Sequence, residues 1–251
     1  MNQNEVMKGI ILAAGRGSRM RGLTDGQPKC RAKLKGKSLI EWQLDALRAG
    51  RLEQLAIVRG YLAGSFDFPV TYFDNPRWEQ TNMVMSLVAA DAWLKESSCV
   101  ISYSDIVYSP RAVDTLRQAK GDIIIAYDPH WRRLWEMRFA DPLADAETFR
   151  LAGDRLIEIG NRAATMDEIQ GQYMGLFRLT PAGWKTITEY LATLSLERRD
   201  KLDVTSLLKE LIKTGVNLTA VPITDKWYEV DSESDLHRYE ALPSLWEEVK
   251  P

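Results

Sequence analysis

The sequence predicts an α/β fold, a Rossmann-like three-layer sandwich in which helices cover both faces of a mainly parallel, mixed β-sheet. Short apolar runs of strand length alternate with segments whose apolar residues recur at helical spacing. The first apolar run lies close to the N-terminus and leads into a glycine-containing loop, as buried parallel strands often do. With 251 residues the chain can bury one sizeable core, so we expect a single domain over residues 1–251.

The elements of the N-terminal half follow in order. Residues 8–14 (KGIILAA) are continuously apolar and predict a buried strand. Residues 38–49 show helical periodicity that starts at Ser38, a capping residue, and ends before Gly50, a C-cap residue. The same patterns predict strands at 54–59, 70–73, 99–103 and 122–127 and helices at 82–94 and 111–119.

The middle of the chain breaks this alternation. Residues from about 130 to 180 mix charges, aromatic residues and short β-like pieces at 155–159 and 173–179. We interpret this section as an insertion that shapes a pocket. Beyond it, the sequence predicts helices at 181–194 and 204–214, a strand at 217–223 and a polar helix that begins near Ser232.

Composition excludes several classes of protein. The formal net charge of -2 shows no sign bias, so we expect neither nucleic acid nor an anionic membrane as a partner. Cys30 and Cys99 lie far apart without CxxC or Cys/His spacing, which argues against a disulfide framework and a structural zinc site. No apolar run approaches the ~18 residues of a membrane span, and residues 1–5 do not resemble a secretory leader. We therefore expect a cytoplasmic protein.

The loop after the first strand carries the strongest motif, LAAGRGSRM at residues 12–20, which Pro28 and Lys29 follow. Glycine-rich loops after a first strand let backbone N–H groups approach phosphates, and side-chain cations complete such a site. A Walker loop needs a Gly-Lys pair that is missing here, and a dinucleotide fingerprint needs a third glycine where Met20 stands. The sequence thus predicts a phosphate loop of another kind.

The pattern LAAGxGxR followed by PK resembles the signature of the nucleotidyltransferase superfamily, which includes sugar-phosphate and choline-phosphate enzymes. Residues 81–87 (TNMVMSL) resemble the family helix beside the nucleotide, and residues 103–107 (YSDIV) resemble the strand end that carries a metal aspartate. Residues 227–236 (WYEVDSESDL) are similar to the block with the second metal aspartate. Without an added C-terminal β-helix, the chain is most similar to the bacterial choline-phosphate cytidylyltransferase-like branch.

This resemblance implies an enzyme that transfers CMP from CTP to a small phosphorylated or phosphonate acceptor and releases pyrophosphate, with Mg²⁺ as cofactor. Arg19 and Lys29 are the implied catalytic cations, which contact the triphosphate and offset charge on the departing pyrophosphate. Asp105 and Asp231 are the implied metal ligands, because hard carboxylate oxygens suit Mg²⁺. Each aspartate also fits a simpler role as a turn or helix-capping residue.

The implied nucleotide-binding residues are Leu12, Ala13, Ala14, Gly15, Gly17, Asn82 and Ser86. A helix N-cap explains Asn82 nearly as well. The candidate acceptor-binding residues are Trp131, Trp135, Arg138, Glu147, Glu168 and Tyr173. Their mixture of aromatic rings, acids and a base suits phosphocholine, an aminoalkylphosphonate or a phosphorylated amino acid. Surface ion pairs are the simpler explanation for the charged members of this set.

Two other functions fit parts of the sequence. A sugar-1-phosphate nucleotidyltransferase would use the same chemistry on another acceptor. A non-catalytic nucleotide-binding module would lack a metal aspartate or Lys29, and all three residues are present. The expected partners are therefore CTP, or another nucleoside triphosphate, and a small phosphorylated acceptor, and a homodimer is one assembly open to such a chain.

Overall fold

A mixed β-sheet of nine strands forms the centre of the fold in the computed structural model, which describes residues 6–17, 20 and 24–246. Four further strands, β2, β3, β7 and β13, lie outside this sheet. All the described strands, in chain order, are β1 (Lys8–Ala13), β2 (Lys33–Leu34), β3 (Lys37–Ser38), β4 (Gln54–Arg59), β5 (Thr71–Asp74), β6 (Cys99–Tyr103), β7 (Ile106–Tyr108), β8 (Ile123–Asp128), β9 (Glu147–Ala152), β10 (Arg155–Arg162), β11 (Gln172–Leu179), β12 (Thr219–Pro222) and β13 (Trp227–Glu229). The α-helices are α1 (Leu39–Ala49), α2 (Met83–Ala89), α3 (Asp91–Glu96), α4 (Pro110–Gln118), α5 (Arg132–Arg138), α6 (Pro181–Ala192), α7 (Leu196–Lys201), α8 (Val204–Lys213) and α9 (Glu233–Glu240). Short 3-10 helices span Lys29–Arg31, Ala63–Ser65, Pro142–Ala144 and Met166–Glu168.

The strands of the central sheet lie in the order β5-β4-β1-β6-β11-β8-β12-β10-β9. Parallel pairs join β1 to β4 and β6, β4 to β5, and β8 to β12. Seven of the nine strands of this sheet run in one direction, and β10 and β11 run in the opposite direction. The described residues therefore form a mainly parallel mixed sheet, and this confirms the predicted fold class.

The two faces of β1 contribute to separate apolar cores, which explains why the whole strand is apolar. Ile11 packs in the core that includes residues of α1, α4 and α5. Its neighbour Ile10 packs in the core that includes residues of α2, α6 and α8. Side chains alternate between the faces of a strand, so both faces of the sheet are covered and the layers number three.

Helix α1 begins and ends where the sequence predicts. The Ser38 side chain accepts a hydrogen bond from the Glu41 backbone N–H, and the Glu41 side chain accepts one in return from the Ser38 N–H. This capping box satisfies two N–H groups that a helix terminus leaves unpaired. Gly50 occupies the C-cap position.

The predicted helix over residues 82–94 is two helices, α2 and α3, which meet at Ala90. Asp91 at the start of α3 accepts a hydrogen bond from the Trp184 indole N–H of α6, at 2.9 Å. This contact ties α3 to a neighbouring helix instead of leaving it as an extension of α2. Sequence periodicity alone does not report such a tertiary contact.

The interpretation of residues 130–180 as an insertion is wrong for its last strand. β11 lies between β6 and β8 in the middle of the central sheet. Leu176 and Phe177 are buried in the two different cores, as expected for a central strand. β9 and β10, which precede β11 in the chain, form one edge of the same sheet.

Within the described ranges, none of the helices combines the length and the apolar character required to cross a membrane.

Candidate active site

The loop that leaves β1 packs against Lys29 through Gly17. Gly17 has a φ of 72°, in the left-handed region that favours glycine. A Cβ atom at this position would lie 2.5 Å from the Lys29 Cβ, which is too close for any real contact. Glycine is therefore required here both for the backbone conformation and for the approach of the loop to Lys29. Ser18 and the predicted catalytic Arg19 lie outside the described residues.

Replacement of Gly17 by alanine is expected to lower both stability and turnover. The left-handed backbone alone costs about 1–2 kcal/mol for a residue with a Cβ, and displacement of Lys29 adds to it. Gly153 is a matched control, since its φ is 67° but an added Cβ would meet no atom within 4 Å. Gly153→Ala should lose stability only through its left-handed backbone conformation, and its turnover should match that of the wild type. Equal unfolding temperatures and equal turnover for the two variants would show that the contact with Lys29 is unimportant.

Lys29 joins three distant parts of the chain. Its side chain is 8% exposed, and its Nζ lies 2.8 Å from Asp105 Oδ2 and 2.8 Å from Asp231 Oδ1. Burial alone would lower the pKa of Lys29, but the charges of Asp105 and Asp231 and their hydrogen bonds more than offset it, so the pKa is raised. The ammonium is therefore charged at neutral pH.

The two aspartates meet because the strands beside them pair. Asp105 lies between β6 and β7, and Asp231 lies two residues beyond the end of β13. β13 pairs antiparallel with β7, with Glu229 opposite Ile106, and the Val230 N–H donates to the Asp105 carbonyl at 2.8 Å. The pairing of β7 with β13 therefore brings both predicted metal ligands within hydrogen-bond distance of Lys29.

The donors in this cluster fit Mg²⁺. Asp105 Oδ1 is buried and has no hydrogen-bond partner among the described residues, so one carboxylate oxygen is available to a cation. The described part of the chain contains no group of three or more His, Cys, Asp or Glu side chains arranged to hold a metal ion. A pair of carboxylates suits Mg²⁺ in particular, because this ion usually keeps several waters and takes the rest of its ligands from substrate phosphates.

Arg138 connects the same cluster to α5. Its side chain is 1% exposed and forms ion pairs with Glu229, Asp231 and Asp235. Burial would lower the pKa of Arg138, but the surrounding carboxylates, Glu229 first, raise it. Burial also raises the pKa of Glu229 to about 7, and Asp231 acts in the same direction against the opposing effect of Arg138.

A cleft of about 190 Å³ opens on one side of Lys29. Its lining includes Lys29, Asp105 and, from the predicted nucleotide-binding set, Leu12, Ala14, Gly15, Gly17, Asn82 and Ser86. Ala13 is absent from this lining, because its side chain is 2% exposed and packs in the core. Trp78, Thr81 and Tyr103 also line the cleft and were not predicted.

Asn82 has the structural role that the sequence left open. Its side chain caps α2 by accepting a hydrogen bond from the Met83 N–H at 2.7 Å. Its amide nitrogen donates to the Lys201 carbonyl at 3.3 Å. Ser86 accepts a hydrogen bond from the Asn75 amide at 3.1 Å. Both side chains therefore hold the wall of the cleft in place.

A second cavity of about 280 Å³ lies on the other side of the cluster. Its lining includes Tyr103, which it shares with the first cleft, and Asp231. Lys29 contacts Asp105 of the first cleft and Asp231 of the second. The two cavities therefore meet at the cluster formed by Lys29, Asp105 and Asp231, which we call the junction.

Four acidic side chains line the second cavity, with no Lys, Arg or His beside them in the described lining: Asp145, Glu147, Glu229 and Asp231. The aromatic rings of Tyr103, Trp135, Phe149 and Tyr173 form another part of its walls. Trp135 donates its indole N–H to Asp145 at 3.0 Å. Partial burial, then the Asp203 and Asp145 charges, raise the pKa of Glu147. The cavity suits a small cationic group.

Of the predicted acceptor-binding residues, Trp135, Glu147 and Tyr173 line the second cavity, whereas Trp131, Arg138 and Glu168 do not. Trp131 is 2% exposed, and its indole N–H donates to the Ile169 carbonyl. The Glu168 carboxylate accepts a hydrogen bond from the Ala164 N–H at 2.7 Å. Arg138 is fully used by its three ion pairs, so no acceptor can reach it.

A larger cavity, of about 580 Å³, lies between α5, β13 and residues 242–244. It contains none of the junction residues. The charged groups of the junction converge instead at the cleft and the second cavity.

Comparison with known proteins gives concordant results. The model of the family described as MobA-like NTP transferase domain matches residues 9–169. CTP:phosphoglutamine cytidylyltransferase of Campylobacter jejuni is 37% identical over 251 aligned residues, which cover 92% of this chain and 98% of that protein. The structure of inositol-1-phosphate CTP transferase from T. maritima has a TM-score of 0.74 at 17% identity and covers 94% of this chain and 97% of its own.

The structure of CTP:phosphocholine cytidylyltransferase from Streptococcus pneumoniae has a TM-score of 0.67 at 20% identity and covers 93% of this chain and 97% of its own. At these low identities the two structures bear on the fold alone, and both agree with the predicted fold class.

Proposed function

The chain belongs to the MobA-like NTP transferase family, and on that premise we propose that it is a Mg²⁺-dependent cytidylyltransferase. It transfers CMP from CTP to a small phosphorylated or phosphonate acceptor that carries an amine. The observation that carries this proposal is the junction, where one buried lysine contacts two aspartates between a glycine-walled cleft and an acidic, aromatic cavity. The cytidylyltransferase activity named for the Campylobacter jejuni relative supports the choice of CTP.

In the proposed reaction an acceptor oxygen attacks the α-phosphorus of CTP. A new oxygen–phosphorus bond forms, the bond from the α-phosphorus to the oxygen that bridges to the β-phosphorus breaks, and pyrophosphate leaves with that oxygen. The acceptor phosphate already carries the nucleophilic oxygen, so no serine or histidine nucleophile is needed. Catalysis then depends on positioning and on cations near the phosphates.

The chain's own residues divide these tasks. Gly17 lets the loop backbone approach the phosphates beside Lys29, whose ammonium offsets negative charge as it develops. Asp105 and Asp231 would hold Mg²⁺, which supplies further charge neutralisation when bound. Arg19 is proposed as a second cation on the triphosphate from the motif alone.

The second cavity favours an acceptor with a cationic amine over a neutral sugar. Carboxylates accept charge-assisted hydrogen bonds from an ammonium group, and aromatic faces attract it as well. Of the sequence alternatives, an aminoalkylphosphonate and a phosphorylated amino acid carry such an ammonium group, whereas the quaternary ammonium of phosphocholine has no N–H and would interact through its charge and the aromatic faces alone. A sugar 1-phosphate would bring no positive charge to Asp145 and Glu147, the two carboxylates of this cavity that form no ion pair with a described lysine or arginine.

Glu147→Gln tests this assignment of the cavity. The loss of one charge-assisted hydrogen bond, worth about 1.5–3 kcal/mol, should raise the KM for an amine-bearing acceptor at least about tenfold and leave the KM for CTP nearly unchanged. Glu189→Gln is the control, because Glu189 is an exposed residue of α6 that pairs with Lys185 and lines neither cavity. An unchanged acceptor KM in Glu147→Gln would remove Glu147 from the acceptor site.

Pyrophosphate release tests the function as a whole. We would supply Mg²⁺, each of four nucleoside triphosphates, and a panel of phosphocholine, 2-aminoethylphosphonate, phosphorylated amino acids and sugar 1-phosphates. The proposal predicts release with CTP and one amine-bearing acceptor. Release only with a sugar 1-phosphate would instead establish the sugar-nucleotide reaction, and nucleotide binding without release for any pair would favour the non-catalytic module.

A further inference from the structure

Arg138 is the most completely enclosed charged side chain next to the junction. Each of its three guanidinium nitrogens contacts a different carboxylate: Nη1 contacts Glu229, Nη2 lies 3.1 Å from Asp231 Oδ2, and Nε lies 3.3 Å from Asp235 Oδ1. With 1% of the side chain exposed, the guanidinium has no face left for substrate. Its role must therefore act through these partners.

All three partners belong to one short segment. Glu229 ends β13, Asp231 follows it, and Asp235 lies in the first turn of α9. A single side chain from the end of α5 thus fixes the path of the chain from the strand into the helix. Planar guanidinium groups suit this task, because their N–H donors point in fixed directions.

Arg138 reaches Asp231 by two routes. The direct route is the contact of Nη2 with Asp231 Oδ2, which leaves Oδ1 directed at Lys29, 2.8 Å away. The indirect route passes through Asp235, whose Oδ2 accepts the backbone N–H of Asp231 at 3.1 Å and of Ser232 at 3.0 Å. The side chain and the backbone of Asp231 are therefore both held.

Charge explains why a cation is needed at this place. Lys29 and Arg138 face the four carboxylates of Asp105, Glu229, Asp231 and Asp235. Without Arg138, Glu229 and the buried Asp235 would lose their nearest cation beside Asp231, and the segment would no longer be held in its present path. The orientation of Asp231 would no longer be set.

We propose that Arg138 is a positioning residue, which directs Asp231 toward the junction for binding of a divalent cation without touching either substrate. This inference rests on the proposed function, because it takes Asp231 as a metal ligand. Groups that orient metal ligands from behind commonly change metal affinity by about 10–100-fold when they are replaced.

Mn²⁺ binding tests the inference without reference to activity. Free Mn²⁺ would be measured by electron paramagnetic resonance in the presence of an α,β-methylene analogue of CTP, and the Mn²⁺ that the analogue binds without the chain, measured separately, would be subtracted. Arg138→Lys keeps the positive charge but offers one nitrogen instead of three, so its Kd for Mn²⁺ should rise at least about tenfold. The control is Arg133→Lys, an exposed position on the same helix, for which the Kd should stay within about twofold of the wild-type value because no junction group contacts it.

The outcomes are distinct. A wild-type chain that binds no Mn²⁺ contradicts the proposed metal function itself. A wild-type Kd in the folded Arg138→Lys variant overturns the positioning role alone. If Arg138→Lys does not fold, the double variant Arg138→Met/Glu229→Gln removes one positive and one negative charge together and relieves the imbalance. The same rise in Kd is expected for it, and an unchanged Kd again overturns the inference.

Discussion

Lys29→Met is expected to lower kcat/KM for CTP by about 1,000-fold, the upper range for removal of one preorganised charge-stabilising group. The variant keeps the volume of the side chain and loses the ammonium that lies 2.8 Å from both junction aspartates. No other described lysine or arginine contacts Asp105, so no neighbour can replace the charge there.

The same variant should also be less stable without Mg²⁺. Removal of one partner of a buried ion pair costs about 3–5 kcal/mol, because the remaining charges are left uncompensated. Mg²⁺ should therefore raise the unfolding temperature of Lys29→Met more than that of the wild type. Thermal unfolding with and without Mg²⁺ measures this difference.

Lys33→Met is the matched control for Lys29→Met. Lys33 is a lysine only four residues beyond Lys29, and its side chain is exposed. Its replacement should change neither turnover nor stability by a measurable amount. Equal losses in the two variants, or near-normal turnover in Lys29→Met, would contradict the role of the buried ammonium.

Asp105→Asn is expected to reduce turnover by at least about 1,000-fold, because Asp105 is proposed to hold the Mg²⁺ that would offset negative charge on the phosphates. The amide is nearly the same size as the carboxylate, and its oxygen can still accept from Lys29. The net negative charge of the junction falls by one, so we expect the unfolding temperature to stay within a few degrees of the wild type, as a change of less than ~1 kcal/mol implies.

Asp225→Asn is the control for Asp105→Asn. Asp225 bonds Ser109 and Arg111 at the rim of the larger cavity, away from the junction. Its turnover should match that of the wild type. Steady-state rates at several Mg²⁺ concentrations would make the comparison, and near-normal rates for Asp105→Asn at all of them would remove Asp105 from the metal site.

The sequence predicted the fold well where the pattern is local. The buried strand β1 shows itself as an unbroken apolar run, and α1 shows itself through Ser38, Glu41 and Gly50 at its ends. The position of β11 could not be read in this way. Strand order depends on pairing between distant segments, and residues around β11 carry no signal that separates a central strand from part of an insertion.

The residues of the candidate site could be proposed from the sequence where a compact motif carries them. The phosphate loop, Lys29, Asp105 and Asp231 lie in motif blocks, and the structure brings the described ones together. The burial of Arg138 could not be predicted, because its partners are more than 90 residues away in sequence and nothing local signals the contacts. Glu229 was missed although a signal exists: it stands two residues before Asp231, a spacing that places alternate strand residues on one face.

Phosphorus-31 NMR of the complete reaction tests the central claim most directly, that the junction joins CMP to an amine-bearing acceptor. The wild-type chain, CTP and Mg²⁺ would be observed with each amine-bearing acceptor in turn, next to Asp105→Asn. We expect that one acceptor yields a new CMP-linked anhydride and free pyrophosphate in equal amounts with the wild type, and neither with the variant. Release of inorganic phosphate instead, or the same product from both proteins, would contradict it.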